Sequence, residues 1–116
     1  MTFRDDAARL RDILTAIDNI EKYTARGRDA FFRDELVQTW MVHHIEIIGE
    51  SAGRLTEPFR AAHPEIPWRS IVAMRNVLVH EYFGIDHEQV WAVVERDLPA
   101  LKERLGGILG AITASP

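Results

Sequence analysis

The chain has 116 residues, 47% hydrophobic and 28% charged, with a formal net charge of −4 and no cysteine. That length fits one domain able to bury roughly two-thirds of its unfolded surface, and the composition is too apolar for a disordered segment. Disulfides and thiolate metal sites are excluded, and the acidic balance speaks against broad, sequence-blind adhesion to nucleic acid.

The opening stretch MTFRDDAARLRD is charged and amphipathic and lacks the apolar core of a signal peptide. No run approaches the ~18 apolar residues of a membrane span, so a cytoplasmic protein without membrane contact is expected. Asp5 or Asp6 is placed to cap a first helix, whose Leu10, Ile13, Leu14, Ile17 and Ile20 form one stripe and which Gly27 ends. A second helix is predicted from about Asp29 to Leu55. Its Met41, Ile45, Ile48, Ala52, Leu55 and Phe59 recur at alternating steps of four and three, the spacing of a packing seam. Two prolines in HPEIPW, 63–68, break the chain, and Pro67 suits the first turn of a third helix. That helix is predicted from Trp68 to about His80 or Tyr82, stopped by Gly84. Asp86 caps a fourth, with Val90, Val93, Val94, Leu98, Leu101 and Leu105 on its apolar side and Pro99 inside it as a kink. The tail GGILGAITASP, 106–116, is expected to be weakly structured. No repeat, low-complexity tract or strand alternation interrupts the pattern. The expectation is one all-α domain over 1–116, a helical bundle of four to five helices.

The question of chemistry sits in RNVLVHEYFGID, residues 75–86, where Arg75, Asn76, His80 and Tyr82 punctuate an apolar run. On an ideal helix, residues five apart are turned by about 140°. Arg75 and His80 then occupy different faces, whereas Arg75 with Tyr82, and Asn76 with His80, share one. Such a split suits a cleft walled from two sides, for example by a second copy of the chain. The alternative is packing: a His or Tyr at a helix end bonding a carbonyl, with Arg75 paired to Glu46 or Glu50 as supporting residues. His43 and His44 lie near those glutamates, yet no Glu-x-x-His pair occurs, and no metal site is predicted. Gly49 and Gly53 form G-x-x-x-G, a flat strip on which another helix could lie close. The stripe Leu36, Trp40, His43, Ile47, Glu50, Arg54 reads either as a half-solvated face or as a cleft wall. Twelve arginines stand against two lysines, Lys22 and Lys102. Between Gly53 and His80, Arg54, Arg60, Arg69 and Arg75 outnumber Glu57 and Glu65, a local basic excess in an acidic chain.

The segments HIEIIGESAGRL, HPEIPWRSIVAMRNVLVHEYFGID and DLPALKERL resemble the HEPN superfamily, and within it the HepT-like toxins that partner minimal nucleotidyltransferases. The resemblance covers most of the chain. It implies an antiparallel helical bundle, homodimeric, that cleaves RNA without a metal or other cofactor. Arg75 and His80 of both subunits would line the dimer cleft, Tyr82 would complete the R-x4-H-x-Y motif, and Asn76 matches the polar residue common after the arginine. The resemblance further implies the toxin of a type VII-like toxin–antitoxin system. A cognate nucleotidyltransferase antitoxin would silence it by AMP transfer to Tyr82. With the local basic excess, tRNA or another structured RNA is the expected substrate. The rival reading is a non-catalytic helical adaptor that binds the nucleotidyltransferase and positions its substrate.

Overall fold

The computed structural model describes the backbone over residues 3–80 and 84–114, and side chains over 5–74 and 86–114. The first stripe winds as α1 (Phe3–Thr24) and buries Leu10, Ile13, Ile17 and Ile20. Asp5 and Asp6 lie in its first turn, but Asp6 does not cap it. Its buried carboxylate accepts hydrogen bonds from the backbone N–H and the hydroxyl of Thr56, both at 2.8 Å, fifty residues away. Thr56 in turn caps α4 (Glu57–Ala62) by accepting from the Phe59 N–H. One carboxylate therefore ties the start of the chain to the turn that leads into the site.

The helix predicted unbroken from Asp29 to Leu55 is two: α2 (Arg28–Arg33) and α3 (Glu35–Gly53). Gly27 precedes α2 at φ 90°, a conformation other residues resist. Asp34 is extended, and its carboxylate accepts from the N–H groups of Leu36 and Val37. An aspartate that satisfies the first free donors of a new helix competes with continuing the old one. The Gln38 amide donates to the carbonyls of Phe31 and Phe32, completing the end of α2. The seam itself is as spaced: Met41, Ile45, Ile48, Ala52, Leu55 and Phe59 are all buried.

After the HPEIPW break comes α5 (Trp68–Leu78). It ends two residues or more before the point predicted. Val79 and His80 form β1 (Val79–His80), which pairs antiparallel with β2 (Gly84–Ile85), Val79 opposite Ile85 and His80 opposite Gly84. The β-branched Val77 and Val79 favour extended backbone once no further turn is gained by staying helical. Asp86 caps α6 (His87–Ala92), accepting from the Gln89 N–H at 3.2 Å. A π-helical stretch (Val93–Asp97) and α7 (Leu98–Ala114) continue the same rod. In a regular helix the Pro99 ring would strike the Glu95 carbonyl, and it brings no N–H. The wider turn absorbs this, and the Leu98 N–H reaches the Val93 carbonyl instead. The segment expected to be weakly structured is helical to Ala114, with Ile108, Leu109 and Ile112 packed partly against the core.

The fold is thus all-helical apart from one two-residue strand pairing among the described residues. Helix α1 packs on α3 and α7, and α3 on α5. No described helix is long and apolar enough to cross a membrane. Lys102 joins α7 to α1 through Glu21 at 2.6 Å and Asp18 at 3.1 Å. The hydrogen bond to Glu21, then that to Asp18, holds its ammonium above the ordinary 10.5. A raised cation stabilises the fold below that value and ceases to do so as pH climbs past it. The pair is exposed and contributes little.

Helices α3 and α5 meet at Gly49, where a Cβ would lie 3.3 Å from the Ile71 carbonyl oxygen and 3.4 Å from that of Val72. At Gly53 a Cβ would meet only the Val72 methyls, at 3.8 and 3.9 Å. Two outcomes are expected in urea unfolding. Gly53→Ala gains ~0.5–1 kcal/mol from helix propensity, while Gly49→Ala gains nothing or loses, because rigid backbone must retreat. Asp6→Ala leaves the half-buried Thr56 donors without the Asp6 carboxylate and lowers stability by ~1–3 kcal/mol.

Candidate functional site

The predicted site residues fall at the far end of α5 and just beyond it. Arg75 and Asn76 occupy the last turn of α5, and His80 lies in β1 opposite Gly84. Tyr82 lies outside the described residues. Because α5 stops at Leu78, the 140° relation between Arg75 and His80, and the shared face of Asn76 and His80, do not hold. Arg75 is delivered by a helix and His80 by a strand. What fixes the place of both is on either side of them. Upstream, α5 is pinned against α3 at Ile71 and Val72, one turn before Arg75. Its first residue, Trp68, is buried and donates its indole N–H to the His63 carbonyl at 3.0 Å. Downstream, the Asp86 cap fixes where the hairpin enters α6. Arg28 of α2 reaches Glu88 at 2.7 Å, and Phe31 packs on Trp91, centroids 5.3 Å apart.

Glu46 and Glu50 stand exposed on α3. The Glu50 carboxylate is already engaged by Arg54 at 2.8 Å. Of the adjacent histidines, His43 is exposed and His44 is buried, its Nδ1–H donating to the Trp40 carbonyl at 2.8 Å. His44 is therefore a packing residue, its ring tilted against Trp40 with centroids 4.3 Å apart. Among the described residues no three His, Asp or Glu side chains converge as a metal would require. The stripe Leu36, Trp40, His43, Ile47, Glu50, Arg54 is a half-solvated face. Leu36 is 81% exposed and Trp40 anchors to α1 by donating to the Asn19 carbonyl at 2.8 Å.

Two grooves run beside α5, and neither was located from the sequence. One, of about 470 Å³, lies between α5 and the rod 87–104 and is largely apolar, with Ile71, Met74 and Leu101 below and Arg96, Asp97 and Arg104 at its edge. The other, of about 740 Å³, lies between α4 and α5 and carries Arg60, Arg69 and Glu57 over Trp68, Val72 and Ala73. The signal for the second was the local arginine excess. For the first, Arg96 and Arg104 lie eight apart in the sequence, close to two turns of a regular helix.

Chemically, the end of α5 offers a guanidinium, which stabilises charge on a phosphate, and an imidazole, which accepts or donates a proton near neutral pH. Known proteins share this sequence over most of its length. The chain is 40% identical over 94 residues to a protein of Thermococcus cleftensis named "Probable ribonuclease HepT", covering 80% of this chain and 86% of that one. It is 33% identical over 106 residues to the "Putative RNase MJ1380" of Methanocaldococcus jannaschii, covering 90% and 97%. A third relative, "Gamma-glutamylcyclotransferase and putative RNase MJ0434" of the same organism, is 40% identical over 97 residues, 83% of this chain. The chain spans only 44% of that protein's length. No solved structure matches. The model of the "Ribonuclease HepT-like" family matches residues 13–108, from the core of α1 through the motif segment and into α7. On that match, the chain belongs to the HepT-like family of the HEPN superfamily.

Proposed function

We propose that this chain is a metal-independent endoribonuclease in which Arg75 and His80 of two subunits act on one RNA phosphodiester at a shared cleft. The observation that carries the reading is the family match over 13–108, a span that contains the sequence RNVLVHEY. An unperturbed imidazole titrates near ~6.5, so its neutral form is available at cellular pH. The neutral His80 ring takes the proton of the ribose 2′-hydroxyl, and that oxygen attacks the adjacent phosphorus. The bond from phosphorus to the 5′-oxygen breaks, the leaving oxygen receives a proton, and the products are a 2′,3′-cyclic phosphate and a 5′-hydroxyl. Arg75 offsets the charge that gathers on the phosphate oxygens. In this reading a second copy supplies the opposite wall of the cleft in an antiparallel helical assembly. The substrate is tRNA or another structured RNA in the cytoplasm, in keeping with an acidic chain that is basic only locally.

Regulation follows from the tyrosine. In this proposal the chain is the toxin of a type VII-like pair, and its antitoxin is a minimal nucleotidyltransferase. The Tyr82 hydroxyl attacks the α-phosphorus of ATP on that enzyme, pyrophosphate leaves, and AMP remains on the tyrosine. A phosphodiester beside the arginine and histidine puts negative charge and bulk where RNA phosphate must sit.

In EDTA, the purified chain should convert RNA to fragments with cyclic phosphate ends. His80→Ala and Arg75→Ala should each lower the rate by ~10²-fold or more, with the dimer intact by light scattering. Undiminished cleavage by His80→Ala removes the proposal; intact RNA with a tight nucleotidyltransferase complex favours the adaptor. Incubation with the partner and ATP should add one AMP, located at Tyr82 by mass spectrometry. An adduct elsewhere, or none, defeats the regulatory part.

A further inference from the structure

We infer that the groove between α4 and α5 is an RNA phosphate track, with Arg60 and Arg69 as its positioning residues; this rests on the ribonuclease reading above. The groove is about 740 Å³, with Arg60, Arg69 and Glu57 over a floor of Trp68, Val72 and Ala73. Three observations point to a polyanion. First, among the described residues neither arginine has an ion-pair partner. By contrast Arg54, Arg28 and Lys102 are committed to Glu50, Glu88 and the Asp18–Glu21 pair. Two uncommitted guanidinium groups facing one groove concentrate positive charge on a chain whose net charge is −4.

Second, the groove runs along the helix that ends in the motif. From Arg69 to Arg75 is six residues of α5, on the order of 9 Å at ~1.5 Å each. That distance corresponds to two or three phosphates at the ~3.4 Å axial rise of a stacked strand. Arg69, Val72 and Ala73 share the face of α5 that lines the groove. Third, the opposite groove differs in its apolar content. It too carries two arginines and one carboxylate, Arg96, Arg104 and Asp97, but over more apolar side chains, Ile71, Met74, Val93 and Leu101, and Arg104 donates to the Glu65 carbonyl at 3.5 Å. That groove suits a protein surface better than a phosphate chain, whereas the α4–α5 groove is less apolar and lies along α5, the helix that leads into the motif segment. Glu57 is the one opposing charge in the track, and it weakens binding there.

The test is RNA binding by the full chain in a His80→Ala background, which keeps the RNA whole, using a short labelled single-stranded RNA and the corresponding duplex. Removing one arginine–phosphate pairing flattens the dependence of log affinity on log salt by ~0.7 on a single strand or ~0.9 on a duplex. Arg60→Gln with Arg69→Gln should therefore flatten it by ~1.4 or ~1.8, and reduce affinity at low salt about tenfold or more. Restoring charge with Arg60→Lys and Arg69→Lys should recover most of it, which a damaged fold would not do. Glu57→Gln should tighten binding, most at low salt. An unchanged slope in the glutamine pair, or no recovery with lysine, overturns the inference. So does loss of nucleotidyltransferase binding with RNA binding retained, which would make the groove a protein-docking face. Cleavage surviving in His80→Ala would instead strike the ribonuclease reading, while the slopes still judge the groove.

Discussion

Helix α5 has its position because α3 lacks a side chain at one point. At Gly49 the two backbones approach until a methyl group would press on the Ile71 and Val72 carbonyls, and close packing of this kind leaves neither rotation nor height free. With that approach set, Trp68 and Ile71 turn into the core while Arg69 and Ser70 turn out. The last turn of α5, and the strand that follows it, continue from that fixed contact. The Asp6–Thr56 hydrogen bonds hold the α3–α4 corner from the other side. Precise placement of a few groups thus depends on a glycine and an aspartate that take no part in chemistry.

Much of the scaffold was legible because burial leaves a period in the sequence. The seam from Met41 to Phe59 and the Val90–Leu105 stripe read as helical faces, and both are buried. What escaped notice was decided by single polar interactions, which leave no period. Asp34 divides one expected helix into two by accepting from two backbone N–H groups, although an aspartate before Glu-Leu-Val is a recognisable cap. Asp6 looked like a cap and is a tie across fifty residues. Around the site, Val-Leu-Val-His invited a helical reading because the apolar run before it is helical. The β-branched residues and Gly84 carried the opposite signal, and the strand pairing followed it. The motif itself was plain as a pattern of residue types, whereas the grooves beside α5 could emerge only from helices folded side by side.

Charge on this molecule divides into two uses. The described buried polar side-chain atoms all have partners: Asp6 meets Thr56, Gln38 the end of α2, and His44 a carbonyl of its own helix. Those groups specify the fold, and an unpaired one would be costly. On the surface, Arg9, Arg28, Arg54 and Lys102 sit beside carboxylates and cancel locally. Among the described residues, Arg60 of α4 and Arg69 of α5 have no such ion-pair partner. A field that is positive in one place and negative elsewhere orients a polyanion rather than merely attracting it.

The wide turn ahead of Pro99 has an effect beyond accommodating the ring. It interrupts the backbone ladder in the middle of a rod whose apolar face is otherwise continuous, so the two ends answer to different neighbours. The α6 end is fastened to α2 through Arg28 and Phe31, and the α7 end to α1 through Lys102. The wide turn therefore separates a short segment, α6, which follows the strand pairing, from the longer α7, which packs on α1.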